Sequence, residues 1–158
     1  MLLYDNPISG NCYKVRLLLA QLGQEYHWSE VDLDGGETRR PQFLQRNPNG
    51  RIPTLELDDG TNLAESNAIL WYLAEGSDFV PADRLGRAQT LQWMFFEPYS
   101  HEPYGATPRY IVKHLAADPP RRAELPERLA QGRAPLGVLD THLASRRFFV
   151  GERYTIAD

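Results

Sequence analysis

The stretch Asn47-Pro48-Asn49-Gly50-Arg51-Ile52-Pro53-Thr54-Leu55-Glu56-Leu57, closed by Asp58-Asp59-Gly60, decides the fold. Asn-Pro-Asn-Gly stops whatever precedes it. Residues 52–57 then read as a strand with a proline at its start, where a missing N–H is tolerated. Asp59-Gly60 is a hairpin turn signal leading into a short strand over 61–63. Ser66 is placed to cap a helix carrying Ile69, Leu70, Trp71 and Leu73 to about residue 75.

Upstream, Met1 to Tyr4 is a short apolar run stopped by Asn6-Pro7, which reads as a buried strand. Val15, Leu18, Leu19 and Leu22 recur at helical spacing, and Gly23 is a plausible C-cap. Residues 26–33 alternate as a second strand, and 40–46 form a short helix candidate. The expected order over residues 1–80 is β-α-β-α-β-β-α. Beyond residue 79 the strand signals fade. Residues 85–115 read as a long aromatic-rich helical region, interrupted or bent near Pro98, Pro103 and Pro108. A Pro119-Pro120 break precedes a further helix over 122–145, with a kink expected at Pro135. Alternation followed by helices only predicts a small α/β domain over 1–78 and an all-α domain over 84–158. Thr155-Ile156-Ala157-Asp158 has the capping-box pattern that opens a helix, and a helix signal at the last residues leads to the expectation of a truncated second domain.

The bulk numbers exclude several classes. A net charge of -4 over 158 residues gives no general pull toward nucleic acid or acidic membranes. The apolar runs fall far short of a bilayer span. One cysteine, Cys12, cannot form an internal disulfide and fits a reducing compartment. The N-terminus lacks the basic and apolar segments of a secretory signal, so the expected location is the cytoplasm. His27, His101, His114 and His142 are scattered without metal-ligand spacing, and no metal site is expected.

Four segments, in order, resemble the cytosolic glutathione transferases, of the bacterial serine-type, theta-like or nu-like classes. Residues 4–15, from Tyr4 through Ser9, Asn11 and Cys12 to Val15, resemble that family's strand-loop-helix at the active site. Residues 47–55 resemble its cis-proline segment. Residues 63–69, Leu-Ala-Glu-Ser-Asn-Ala-Ile, resemble its γ-glutamyl-binding turn. Phe149-Val150-Gly151 with residues 154–158 resembles the entry to a core helix of its second domain. The resemblance implies a thioredoxin-like N-terminal domain, an all-α C-terminal domain and a homodimer. It also implies glutathione as co-substrate, with a small hydrophobic electrophile as the second partner.

The chemistry such a protein performs is to ionise a tripeptide thiol near neutral pH. A free thiol has a pKa of about 8.5, and each unit of depression needs roughly 1.4 kcal/mol of preferential thiolate stabilisation. A helix N-terminus and a hydroxyl aimed at the sulfur supply it. By resemblance, Ser9 has the thiolate-stabilising role and Asn11 is a second candidate for it; both also read as ordinary N-cap residues. The resemblance makes Pro53 cis, turning the Ile52 backbone toward the cysteinyl part of glutathione. It assigns the γ-glutamyl carboxylate to Ser66, the amino group to Glu65 and the glycyl carboxylate to Arg51. Arg39 is a further binding candidate that reads equally as a solvated charge. Cys12 reads as a small core hydrophobe rather than a redox thiol. Trp93 and Phe96 read as packing residues, Tyr99 and Tyr104 as pocket walls. Conjugation leads; glutathione-dependent disulfide reduction and non-catalytic glutathione or ligand binding remain open.

Overall fold

A computed structural model of the chain describes residues 1–115 and 118–158; positions 116 and 117, inside the region expected to be helical, lie outside the described residues. The chain divides into two compact units, Met1–Ser77 and Asp78–Asp158.

The N-terminal unit is a four-stranded mixed sheet in the order β2-β1-β3-β4. Strand β1 (Leu2–Asp5) pairs parallel with β2 (His27–Glu30) and antiparallel with β3 (Thr54–Glu56), which pairs antiparallel with β4 (Asn62–Ala64). A parallel pair needs a crossover. Helix α1 (Gly10–Gln21) supplies it between β1 and β2. Leu3 lies opposite Leu55, so both side chains share one face, and both are fully buried. Against that core α1 contributes Cys12, Val15 and Leu19 at helical spacing, and helix α3 (Ser66–Ala74) contributes Ile69, Leu70 and Ala74. Helices α1 and α3 pack on one another. Gly23, at φ +63°, ends α1 in the left-handed conformation that a C-terminal cap needs.

Two local expectations change here. Ser66 is the first residue of α3 rather than its cap, which is Glu65. The second strand and the short helix α2 (Pro41–Leu44) are both shorter than their sequence patterns. After Val31 the chain turns, because the Asp32 carboxylate accepts from Gly35 N–H at 2.7 Å and the Glu37 carboxylate accepts from Asp32 N–H at 2.8 Å. Such side-chain bonds compete with the ladder and end the strand.

The C-terminal unit is helical. Asp83 caps α4 (Arg84–Phe96) by accepting from Gly86 N–H at 2.8 Å. Neither Pro98 nor Pro103 has an N–H for the carbonyl four residues back, so the helix does not continue regularly. It widens into a π turn over Glu97–His101, then tightens into a 3-10 turn over Glu102–Tyr104 before α5 (Ala106–His114). Pro108, expected to bend the helix, sits in the first turn of α5.

The helix expected over 122–145 is three helices: α6 (Pro119–Ala123), α7 (Leu125–Gln131) and α8 (Arg133–Leu143). The break between α7 and α8 falls at Gly132, next to the Gln131 carbonyl that Pro135, without an N–H, leaves unbonded. Pro135 is the third residue of α8, where a backbone N–H has no partner within that helix to lose. Trp93 is the centre of the packing, with ring centroids 5.4 Å from Phe96, 4.5 Å from His142 and 4.7 Å from Phe149. The Asp158 carboxylate accepts from Thr155 N–H and Phe149 N–H, each at 2.9 Å, and Thr155 Oγ1 accepts from Ala157 N–H at 3.2 Å. The same unit carries an apolar groove of about 660 Å³ between Trp93, Phe95, Phe96, Tyr99 and Val138. Tyr99 lines it, Tyr104 does not.

Candidate functional site

Ser9 leaves β1's loop in an extended conformation and caps α1, its Oγ accepting from Cys12 N–H at 3.3 Å. Its own N–H is held by the Asn6 carbonyl at 3.0 Å. The loop is pinned in turn by Asn6, whose side chain donates to the Val31 carbonyl at 3.0 Å. The cap takes up the Cys12 N–H, and the other first-turn N–H groups of α1 that lack intrahelical acceptors give that end its partial positive charge.

Cys12 is fully buried beneath that turn. Burial pushes its thiol up to about 12, hydrogen bonding to the Ser9 side chain and Asn6 backbone pulls the other way, and neighbouring Asp5 adds to the rise. It is a neutral core side chain near pH 7, and the Asp5 carboxylate beside it is bound by Arg16 Nη1 at 2.6 and 2.8 Å.

The loop over 47–53 is built around Asn47, which is buried. Its Nδ2 donates to the Arg51 carbonyl at 2.8 Å and to Thr54 Oγ1 at 3.2 Å, while its Oδ1 accepts from Asn49 N–H at 3.0 Å. Gly50 stands at φ +60°, and a Cβ there would meet the Thr38 carbonyl at 2.7 Å. The Ile52–Pro53 peptide is cis. Arg39 Nη1 donates to the Asn49 carbonyl at 3.0 Å, which ties that guanidinium to the loop. Arg51 is exposed, with no side-chain partner among the described residues.

Glu65 is the outlier of the backbone: a non-glycine residue at φ 66° and ψ 113°. That conformation costs on the order of 1–3 kcal/mol and persists only where surrounding structure holds it. Asn49 Nδ2 lies 3.4 Å from its Oε1, and its carbonyl accepts the first α3 bond from Ile69 N–H at 3.0 Å. The Ser66 hydroxyl donates to Asn11 Oδ1 at 3.3 Å, and Lys14 Nζ donates to Asn67 Oδ1 at 2.8 Å. Two side-chain bridges thus join the N-terminal halves of α1 and α3.

Of the residues singled out from sequence, Asn11 and Ser66 touch directly, while Glu65 and Arg39 are linked through Asn49, which was not among them. Ser9 sits at the head of α1, and Arg51 stands out from the loop without joining them. Asn47, Lys14 and Asn67 were not anticipated. Asn47 reads in the sequence as one more turn asparagine, and nothing in local spacing pairs Lys14 with a residue 53 positions away. Among the described residues, no group of three or more His, Cys, Asp or Glu could hold a metal ion, and no helix is long and apolar enough to cross a membrane.

Glu65, a non-glycine residue at positive φ between the β3–β4 hairpin and α3, is tied through Asn49 to the loop over 47–53. The family described as glutathione S-transferase, N-terminal domain, matches residues 8–75. Glutathione S-transferase 3 of Zea mays is 33% identical over 164 residues, covering 99% of this chain and 72% of the maize protein. A glutathione S-transferase from Pseudomonas fluorescens superposes with a TM-score of 0.95 at 48% identity, over 99% of this chain and 78% of that one. A glutathione transferase family member from Pseudomonas fluorescens Pf-5, solved with two glutathione bound, gives a TM-score of 0.84 at 32% identity, over 99% of this chain and 71% of that one.

The chain belongs to the glutathione S-transferase family. Its N-terminal unit has the thioredoxin-like sheet, and its C-terminal unit is helical.

Proposed function

We propose that this chain binds glutathione where the first turns of α1 and α3 meet, and adds its thiolate to a small hydrophobic electrophile. The observation that carries the reading is the strained Glu65 held beside Ser66, with Ser66 bonded to Asn11. Backbone strain of this kind is retained where it positions groups for a ligand.

In this reading residues 1–78 are the glutathione-binding domain and 84–158 the helical one. The γ-glutamyl carboxylate meets the N–H groups at the start of α3 and the Ser66 hydroxyl. As it stands that hydroxyl proton goes to Asn11 Oδ1; turning the Asn11 amide over lets Nδ2 donate to Oγ and releases the hydroxyl for the carboxylate. Glu65 accepts from the ligand's amino group. The Ile52 backbone pairs with the cysteinyl residue beside Pro53, and Arg51, with Arg39 at the loop's other side, faces the glycyl carboxylate.

The thiol then lies toward Ser9. Its proton leaves to solvent, Ser9 O–H and the positive end of α1 stabilise the anion, and the sulfur lone pair forms the new S–C bond. The electrophile's displaced electron pair leaves with its departing group or on its activated double bond. Cys12 takes no part, because it is buried and protonated.

Titrating the thiolate absorbance of bound glutathione against pH tests this directly. The native chain should hold the thiol at least one unit below its free value of about 8.5, and loss of the Ser9 hydroxyl should undo most of that shift. Ser9→Gly is the better variant, since glycine replaces a serine cap at a cost of only a few tenths of a kcal/mol. An unshifted thiol in the native chain, or an identical shift in Ser9→Gly, rules out the assigned role. Binding without conjugation of any electrophile leaves the protein a glutathione carrier.

A further inference from the structure

We propose that Asn49 is a positioning residue for the ligand's amino group: it holds the Glu65 carboxylate in place while leaving its charge whole. The inference rests on the glutathione reading above and adds a residue to one part of it.

Two restraints meet at Glu65. Its backbone, at φ 66° and ψ 113°, fixes the direction in which the side chain leaves the main chain. That restraint ends at Cβ. Beyond it the side chain is exposed, and ordering a glutamate around a ligand costs rotamer entropy. Asn49 supplies the second restraint, its Nδ2 donating to Glu65 Oε1 at 3.4 Å. Although exposed, Asn49 is itself held through its backbone on both sides. Its N–H donates to Asn47 Oδ1 and its carbonyl accepts from Arg39 Nη1, each at 3.0 Å. Asn47 is buried, so the support under Asn49 is fixed. The cis-proline loop thereby reaches across to the residue that caps α3.

The kind of donor matters. A lysine or arginine at this place would hold the carboxylate and also neutralise it. An amide donates without bringing a charge. It occupies one of the carboxylate's roughly four lone-pair sites, which leaves the others for an ammonium. Restricting the carboxylate before the ligand arrives also removes part of the ordering cost from binding.

Two ligands separate this role from a merely structural one: glutathione, and glutaryl-cysteinyl-glycine, which keeps the thiol and both carboxylates but lacks the amino group. Both are titrated calorimetrically into the full chain and its variants. Asn49→Ala should weaken glutathione about five- to tenfold and the analogue less than about twofold. In a Glu65→Gly background the same change should cost glutathione less than about twofold, because Asn49 acts only through that carboxylate. Asn49→Ser, too short to reach Glu65, should show the same ligand-selective loss and decides the matter if Asn49→Ala does not fold. Equal losses on both ligands, or an undiminished loss in the Glu65→Gly background, overturn the role of Asn49 while leaving glutathione binding intact. So does a native chain that binds both ligands equally well. A native chain that binds neither overturns the glutathione reading itself, and this inference with it.

Discussion

The N-terminal and C-terminal units are held together by different kinds of contact. In the first, polar side chains bridge elements far apart in the chain: Lys14 to Asn67, Ser66 to Asn11, Tyr4 to Glu56 at 2.9 Å. In the second, most side-chain bonds are local, as in the Glu124 carboxylate bound by Arg121 three residues back and Arg128 four residues on. Leucines of the sheet core and leucines of α7 and α8 differ too. Leu3, Leu19, Leu55 and Ile69 are fully buried, whereas Leu129, Leu136 and Val138 are about half exposed. Precision in placing small polar groups comes from the first arrangement, since each long-range bond removes a relative motion between elements. The second gives helices that are individually well formed on a loosely covered surface.

The contrast is most easily broken by paired truncations. Leu19→Ala should lower stability by about 2–5 kcal/mol in denaturant titration, because it opens a cavity between α1 and the sheet. Leu136→Ala should stay within about 0.5 kcal/mol. Comparable losses at the two positions would mean that the helical face is covered in solution and that the difference between the units is not intrinsic.

A smaller and opposite effect is expected at Glu65. Glycine adopts positive φ without penalty, so Glu65→Gly should raise stability by about 1 kcal/mol while weakening glutathione binding. Thermal unfolding and calorimetric titration of one preparation measure both. A destabilised variant would show that the Glu65 side chain contributes more through its contact with Asn49 than its backbone costs.

A further effect, confined to alkaline pH, lies in the pH dependence of the first unit. Burial pushes the Cys12 thiol up to about 12 in the folded chain, well above its ordinary value. The unfolded chain therefore loses this proton first as pH rises. The stabilisation from keeping the thiol neutral is complete below about pH 9 and is lost as pH climbs toward 12. Cys12→Ala should flatten the decline of stability in that window relative to the native chain. Alkylation by iodoacetamide at pH 8 should be slow in the native protein and rapid after unfolding. Fast labelling of the folded chain would show that the thiol is accessible after all.

Much of the sheet was legible in the sequence because its signals are local. Asp59-Gly60 announces a hairpin, and the structure closes it with Leu57 and Thr61 paired and Gly60 at φ 84°. Gly23 announces the end of α1 for the same reason. The helical unit was less legible. A run of leucines across 125–143 reads as one helix, and Pro135 reads as a kink within it, because periodicity says nothing about where a helix restarts. Only the breaks before Leu125 and Arg133 place that proline in a first turn. Pro98 and Pro103 were placed correctly as interruptions, but whether the backbone answers by bending, widening or tightening depends on what packs against it.

The sequence alone determined the order of strands and helices in the N-terminal unit, the residue types around Ser9, Pro53 and Ser66, and the single cysteine, Cys12. These follow from nearest-neighbour chemistry, where a proline, a glycine or a capping serine acts over three or four residues. Only the tertiary structure decided that Ser66 begins α3 while Glu65 takes the strained cap. It alone decided that Asn47 organises the loop and that Lys14 reaches Asn67. The reason is physical: each is a property of two segments brought together by burial of Leu3, Leu19, Leu55 and Ile69, and no local pattern encodes the distance between them.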